Sequence, residues 1–144
     1  SVGASMEKIQ PLYTIGEKIG IALQLIDDVL DYEATINLDK ASFMDFKNKK
    51  LTLPLIHALE QASFSDKAYM LSLMEKEAVN TYILTEVRTF INQFQGISYT
   101  IEQINFYKKE ALSLLAEYSY ESDYAVAFSS FIEDIINPYK YLAN

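Results

Sequence analysis

Apolar residues recur at steps of three and four along nearly the whole chain, which is the spacing of one face of an α-helix. No segment shows the alternation of apolar and polar residues that is typical of a half-buried strand. The 144 residues include only four glycines and three prolines, so strong breaks between helices are few. The sequence therefore predicts an all-α bundle of about six helices.

The predicted helices are separated by one long polar stretch and several short joints. The first predicted helix has Pro11 in its first turn, shows helical apolar spacing from Leu12 and runs to about Tyr32. The stretch 33–50 is predicted to be a long loop. Thr52 is placed to cap the next helix, which carries Pro54 in its first turn. No linker or internal repeat divides the chain, so we predict a single domain over 1–144. The remaining predicted helices are 67–77, 82–94, 98–118 and 123–141.

Charge and cysteine content exclude several classes of protein. Twelve basic and twenty acidic residues give a net charge of −8, which disfavours binding to nucleic acid or anionic lipid. The chain has no cysteine, so it has no disulfide, no thiolate nucleophile and no cysteine zinc site, and a cytoplasmic location is expected. No apolar run is long enough to span a membrane and no signal peptide begins the sequence. The start at Ser1, with no evident cap, suggests a shortened or processed chain.

Four polar residues interrupt the otherwise apolar second half of the first helix: Gln24, Asp27, Asp28 and Asp31. Helical spacing places Gln24, Asp27 and Asp31 on one stripe, with Asp28 on its flank. Two carboxylates about 6 Å apart repel each other by roughly 3 kcal/mol at an effective dielectric near 20. The carboxylates also lie near the C-terminal end of the helix, where the helix dipole disfavours anions.

A divalent cation would relieve this repulsion. Mg²⁺ prefers carboxylate oxygens and completes its shell with water and substrate phosphate, so Asp27, Asp28 and Asp31 are candidate metal ligands. The alternative is an acidic helix end that simply faces solvent. An EF-hand is excluded, because the run 28–39 has neither alternating oxygen ligands nor a glycine at the sixth position. Lysines in the following loop, Lys40 and Lys50 among them, would suit a metal–diphosphate site.

The segment Gly20-Ile-Ala-Leu-Gln-Leu-Ile-Asp-Asp-Val-Leu-Asp-Tyr32 resembles the second aspartate-rich motif of the trans-isoprenyl (polyprenyl) diphosphate synthases. Lys40 and Asp45 fall at the family's next polar positions, and 50–56 resembles its Gly-Lys-x-Thr-Leu-Pro continuation. Tyr107, Ala111 and Leu115 match a weaker pattern near the family's C-terminus.

This resemblance implies an enzyme that joins isopentenyl diphosphate to an allylic diphosphate head to tail, on the isoprenoid synthase fold and as a homodimer. It implies that Asp27, Asp28 and Asp31 hold Mg²⁺, that Gln24 helps to orient the group, and that Lys40 and Lys50 contact the diphosphate. No nucleophilic side chain is required.

Several features depart from the family pattern. Asp39 and Lys49 replace the glycines of the two Gly-Lys pairs, and Leu23 stands where the family often has phenylalanine. The family's first aspartate-rich motif and its isopentenyl diphosphate-binding basic residues lie upstream of the matched region and are absent here. We therefore interpret the chain as the C-terminal half of such an enzyme, inactive by itself. The competing hypotheses are a non-catalytic helical subunit and an unrelated helical scaffold.

Other residues are interpreted as structural. His57 is the only histidine and has no partner at ligand spacing, so we predict an ordinary core or surface residue. Gly16 and Gly20 are expected to let a neighbouring helix approach closely. The aromatic residues are expected to lie in the core, among them Phe90, Phe94, Tyr99, Phe106, Tyr118, Phe128 and Phe131.

Overall fold

The computed structural model describes residues 6–34, 42–118 and 123–142, and these ranges contain eight helices and no strand. The predicted all-α class is confirmed. The helices are α1 (Met6–Glu33), α2 (Met44–Lys47), α3 (Leu53–Gln61), α4 (Phe64–Met74), α5 (Thr81–Gln93), α6 (Gly96–Tyr118), α7 (Asp123–Ile135) and α8 (Pro138–Leu142).

The helices differ from the predictions in several places, and α4 (Phe64–Met74) lies three residues earlier than the predicted helix 67–77. Pro11 lies inside α1 rather than in its first turn, because the helix begins at Met6. The predicted loop 33–50 contains the four-residue helix α2, which is too short to leave a periodic signal. The last predicted helix is divided into α7 and α8, because Pro138 begins a new helix instead of continuing the old one.

The chain forms two compact units, and their boundaries fall within α1 and α6. One unit comprises Ser1–Ile26 and Glu102–Asn144, and the other comprises Asp27–Ile101. The single domain over 1–144 stays a prediction. None of the described helices is long and apolar enough to cross a membrane.

In the second unit, α3 and α4 both pack against α5 around one apolar core. Gly96, the first residue of α6, lets α6 approach the backbone of α3 within this unit. A Cβ at this position would lie 2.1 Å from the carbonyl oxygen of Pro54. His57 stacks on Tyr99 with ring centroids 3.9 Å apart, which agrees with a structural role. The core consists of Tyr32, Phe43, Phe46, Leu55, Ala58, Leu59, Met70, Leu73, Ile83, Leu84, Val87, Phe90 and Ile91.

In the first unit, α1 buries one face, which carries Ile15, Ala22 and Ile26. The α6 residues Ala111 and Leu115, of the weaker C-terminal pattern, are also buried. Lys18 forms an ion pair with Glu110 at 3.4 Å and lies over the ring of Tyr107.

Two expectations of burial are wrong for the described residues. A Cβ added at Gly16 or Gly20 would meet nothing within 4 Å beyond the local backbone of α1, so none of the described helices packs closely on them. Phe106 on α6 and Phe131 on α7 are more than half exposed instead of lying in the core. Periodicity identifies an apolar face, but it does not establish that a partner in the same chain covers that face. Phe90 is buried as expected, Phe94, Tyr99 and Phe128 are partly buried, and the side chain of Tyr118 lies outside the described residues.

Candidate functional site

The end of α1 and the short helix α2 form a pocket of about 320 Å³ in the second unit. Three carboxylates line it, those of Asp27, Asp31 and Asp45, together with Leu30 and Met44. Asp27 and Asp31 were predicted to share a face of α1, and both line this pocket. Asp45 was noted in the sequence but not assigned to the site, because its distance from Asp31 along the chain hides their proximity.

The carboxylate of Asp31 caps α2 from another element. Its Oδ1 accepts a hydrogen bond from the backbone N–H of Met44 at 2.8 Å, and its Oδ2 accepts one from the N–H of Asp45 at 3.0 Å. The carbonyl oxygen of Asp31 also accepts the N–H of Phe43 at 3.2 Å. Asp31 thereby supplies acceptors for N–H groups at the start of α2, which no intrahelical carbonyl can satisfy.

Asp28 and Asp45 hold the ammonium group of Lys50 between them. The Nζ of Lys50 lies 3.5 Å from an oxygen of Asp28 and 3.1 Å from an oxygen of Asp45. Asp28 is buried, whereas the side chain of Lys50 is about half exposed. Two of the predicted site residues, Asp28 and Lys50, are thus brought together as a pair beside the pocket.

Burial raises the pKa of Asp31 above its ordinary value of 3.8. The charges of Asp45 and Asp27 raise it further, while the two N–H groups of Met44 and Asp45 act in the opposite direction. The repulsion predicted between carboxylates of this helix is therefore present around Asp31.

The other predicted site residues are Gln24, Asp27 and Lys40. Asp27 is exposed at the pocket, although it lies in the otherwise apolar half of α1. Gln24 is exposed on the part of α1 that belongs to the first unit. Lys40 and Asp39 lie outside the described residues.

The donor set suits a hard cation that a substrate helps to bind. Among the described residues, no three His, Cys, Asp or Glu side chains are grouped so that they could hold a metal ion by themselves. Mg²⁺ commonly uses only one or two carboxylates and fills its shell with water and phosphate oxygens. Asp27 and Asp31, at one pocket, supply this number of carboxylates. The assignment of Asp27, Asp28 and Asp31 as ligands stays a prediction.

Two backbone positions around α2 are left-handed although neither is glycine. Phe43, before the helix, has φ 55°, and Lys49, after it, has φ 59°. The resemblance places a glycine at the position of Lys49, and the φ of Lys49 is one that glycine adopts without strain. Thr52 precedes α3 at the predicted cap position, but its side chain does not make the predicted capping hydrogen bond. Its hydroxyl instead forms a hydrogen bond with the hydroxyl of Tyr32 at 2.9 Å.

Comparison with known proteins assigns the family. The family model described as "Polyprenyl synthetase" matches residues 1–91, which is more than half of the chain. The chain belongs to the polyprenyl synthetase family. The predicted resemblance is confirmed.

Curated polyprenyl synthetase relatives match the chain over different lengths. An octaprenyl diphosphate synthase of Haemophilus influenzae is 30% identical over 129 residues, which covers 89% of this chain and 39% of that protein. A prenyl transferase of Cyanophora paradoxa is 45% identical over 53 residues, which covers 36% of this chain and 16% of that protein.

The fold agrees with solved structures of the same family. A geranylgeranyl pyrophosphate synthase of Bacteroides thetaiotaomicron matches with a TM-score of 0.80 and 26% identity, and the match covers 94% of this chain and 44% of that chain. The predicted isoprenoid synthase fold is confirmed. The polyprenyl synthetase chain described here spans less than half the length of these relatives.

Proposed function

We propose that this chain supplies the second aspartate-rich wall of the active site of a polyprenyl diphosphate synthase. The reaction is the head-to-tail condensation of isopentenyl diphosphate with an allylic diphosphate. The observation that carries the proposal is the pocket lined by Asp27, Asp31 and Asp45, with Lys50 beside it. Membership of the polyprenyl synthetase family supports the same chemistry.

Asp27 and Asp31 are the residues best placed to hold Mg²⁺ in this proposal, because both line the pocket. Bound Mg²⁺ would stabilise the negative charge that develops on the departing diphosphate. Asp31 is already fixed by two N–H groups of α2, so its orientation is set before any ligand binds. Asp27, which is exposed, is the carboxylate that a cation entering from solvent meets.

Lys50 is assigned to the diphosphate. An ammonium group carries three N–H donors, and two of them are directed at Asp28 and Asp45. The third donor is left for a phosphate oxygen. Asp28 thus acts as the residue that orients Lys50, in addition to any role toward the metal.

Assembly and location belong to the same proposal. Two copies of the intact enzyme are expected to associate as a homodimer, as the resemblance implies. A cytoplasmic location is supported by the lack of cysteine in the sequence. The expected substrates are the two diphosphates, with no role for nucleic acid.

A second candidate function is a non-catalytic helical subunit. It is favoured by the contacts of Asp31 and Asp28, since each carboxylate has an intramolecular role, the first on α2 and the second on Lys50. In that case the acidic cluster holds α2 in place and binds no metal.

Thermal melting of the chain with Mg²⁺, with inorganic diphosphate, and with both together separates the two candidates. If the site exists, both ligands together raise the melting temperature more than the sum of either alone. A ligand present at a hundred times its Kd stabilises the folded state by about 2.7 kcal/mol. For a chain of this size each kcal/mol corresponds to roughly 2–4 °C.

Asp27→Asn is the decisive variant, with Asp134→Asn as the matched control. Asp134 is an exposed aspartate on α7 that pairs with Lys140, away from the pocket residues in the sequence. Asp27→Asn is expected to abolish the combined effect of Mg²⁺ and diphosphate, and the control is expected to keep it. An unchanged melting temperature of the unsubstituted chain with both ligands would instead support the non-catalytic subunit.

A further inference from the structure

Arg88 is the only arginine in the sequence, and it contacts both the end of α1 and Phe43, the residue before α2. It lies on α5, where Leu84, Val87 and Ile91 are fully buried. Because these close-packed neighbours anchor α5, the helix holds Arg88 in a fixed position.

The guanidinium of Arg88 holds the C-terminal end of α1. Its Nε donates a hydrogen bond to the carbonyl oxygen of Tyr32 at 3.0 Å, and its Nη2 donates one to the carbonyl oxygen of Ala34. These carbonyls lie at the end of a helix, where intrahelical partners are missing.

The charge of Arg88 also compensates for the composition of α1. The last turn of α1 has no basic residue, and it carries Asp31 and Glu33, whose charges the helix dipole disfavours at that end. Arg88 brings from α5 the positive charge that α1 lacks there.

The same guanidinium also lies close to the ring of Phe43. It lies 5.1 Å from the centroid of the Phe43 ring, which is fully buried and packs edge-on against Tyr32 at 5.6 Å. Phe43 has a φ of 55°, a conformation that a bulky residue adopts only when its surroundings hold it. Arg88 is part of those surroundings.

Two of the residues that Arg88 contacts, Tyr32 and Phe43, flank the hydrogen bonds between Asp31 and α2. Tyr32 follows Asp31, and Phe43 precedes Met44, whose N–H Asp31 accepts. We propose that Arg88 is a positioning residue that keeps the Asp31 carboxylate on the N–H groups of α2 and so maintains the pocket for a metal–diphosphate ligand. The part of this inference that concerns the ligand rests on the proposed function; the part that concerns Asp31 does not.

The first test measures amide hydrogen exchange in the Arg88→Leu variant. Leucine keeps the helix propensity of α5 and removes all the side-chain N–H donors of Arg88. The amides of Met44 and Asp45 are expected to exchange roughly tenfold faster or more. This is the loss of protection expected when their hydrogen bonds to the charged carboxylate of Asp31 are broken. The amides of Leu84 and Ile91, in the core of α5, are expected to keep their protection. Unchanged exchange at Met44 and Asp45 overturns the proposal.

The second test applies Mg²⁺ with inorganic diphosphate to the same variant. The ligand-induced rise in melting temperature is expected to disappear in Arg88→Leu. Lys108→Met is the matched control, because Lys108 is also a partly buried cation and pairs with Glu133 in the first unit. The control is expected to retain the rise. If the amides loosen in Arg88→Leu but the rise persists, the role of Arg88 in the site is overturned.

Arg88→Lys keeps the test decisive if Arg88→Leu fails to fold. Lysine retains the charge but lacks the planar fork that reaches two carbonyls. An intermediate loss of amide protection at Met44 and Asp45 supports the proposal, and full protection overturns it. If the unsubstituted chain shows no response to Mg²⁺ and diphosphate, the proposed function fails, while the amide exchange still decides whether Arg88 positions Asp31.

Discussion

Phe43 and Lys49 show how differently two left-handed residues are tolerated in one short segment. Phe43 is fully buried and has its ring held by Tyr32 and Arg88. Lys49 is exposed, and its φ of 59° occurs in a turn in which its N–H donates a hydrogen bond to the carbonyl oxygen of Phe46 at 2.9 Å. The conformational cost at Lys49 is therefore open to relief by substitution.

Lys49→Gly is expected to stabilise the chain by up to about 1 kcal/mol. A left-handed conformation costs a non-glycine residue about 1–2 kcal/mol, and part of the gain is offset by the greater freedom of glycine in the unfolded chain. The urea midpoint measures the change. Lys47→Gly, two residues earlier and inside α2, is the matched control and is expected to destabilise. A lower midpoint for Lys49→Gly would contradict the assignment of strain to this residue.

Asp31 is expected to make stability depend on pH. Because folding raises the pKa of Asp31 above 3.8, the folded chain holds this proton more tightly than the unfolded chain does. Its favourable contribution is present below pH 3.8 and is lost as the pH rises through the pKa of the folded state. We therefore expect the unfolding free energy of Asp31→Asn to increase relative to that of the unsubstituted chain as the pH rises through this range. Both are measured in the presence of a chelator.

A constant offset is expected on top of that change, since an asparagine oxygen can replace only one of the two carboxylate oxygens that accept N–H groups from α2. Urea unfolding at several pH values separates the two effects. A difference in unfolding free energy that does not vary with pH would show that Asp31 ionises alike in the folded and unfolded chains.

At the scale of elements, α2 depends on its tertiary contacts. Four residues are far too few for a helix to persist by itself. Its start is held by Asp31 of α1, and its buried residue Phe46 packs into the core of the second unit. A segment of this kind is specified by residues that lie elsewhere in the sequence.

The approach of α6 to α3 gives a prediction about glycine. Gly96→Ala is expected to destabilise the chain by about 3 kcal/mol or more, because its Cβ would lie 2.1 Å from the Pro54 oxygen and 2.9 Å from the Pro54 carbonyl carbon. Both are backbone atoms, so no side-chain rotation relieves the clash. Thermal or urea unfolding measures the loss.

Gly16→Ala is the matched control for this substitution. Gly16 lies inside α1 with nothing within 4 Å of an added Cβ, so alanine is expected to stabilise the chain by roughly 0.5–1 kcal/mol. Equal effects of the two substitutions would show that the close contact between Gly96 and Pro54 does not exist in solution.

At the scale of the whole molecule, the chain spans 39% of the H. influenzae octaprenyl diphosphate synthase. One side of α1 remains open as well, with Leu12, Tyr13 and Leu23 exposed. Differential binding of a transition state needs groups on more than one side of the reacting atoms.

We therefore expect the chain alone to show no prenyl transfer. Radiolabelled isopentenyl diphosphate with an allylic primer is the assay, and extraction of labelled product is the measurement. Co-expression with the part of a relative that this chain does not match is expected to restore turnover if the two parts associate. Turnover by the chain alone would show that its site is sufficient.

The sequence determined the helical class and the location of the acidic cluster. Helical periodicity depends on neighbours three and four residues apart, so it is readable from the chain itself, and it placed Asp27 and Asp31 on one face of α1. The motif around these residues also identified the family, because its spacing is local.

Only the tertiary structure decided which contacts those residues make. That Asp31 caps α2, that Lys50 lies between Asp28 and Asp45, and that Arg88 reaches Tyr32 and Phe43 all depend on segments distant in sequence. The burial of an apolar face likewise depends on whether a partner covers it. Gly16 and Phe106 are therefore exposed, although both were expected to be packed. Local spacing specifies a helix and its faces, whereas non-local packing specifies what each face meets.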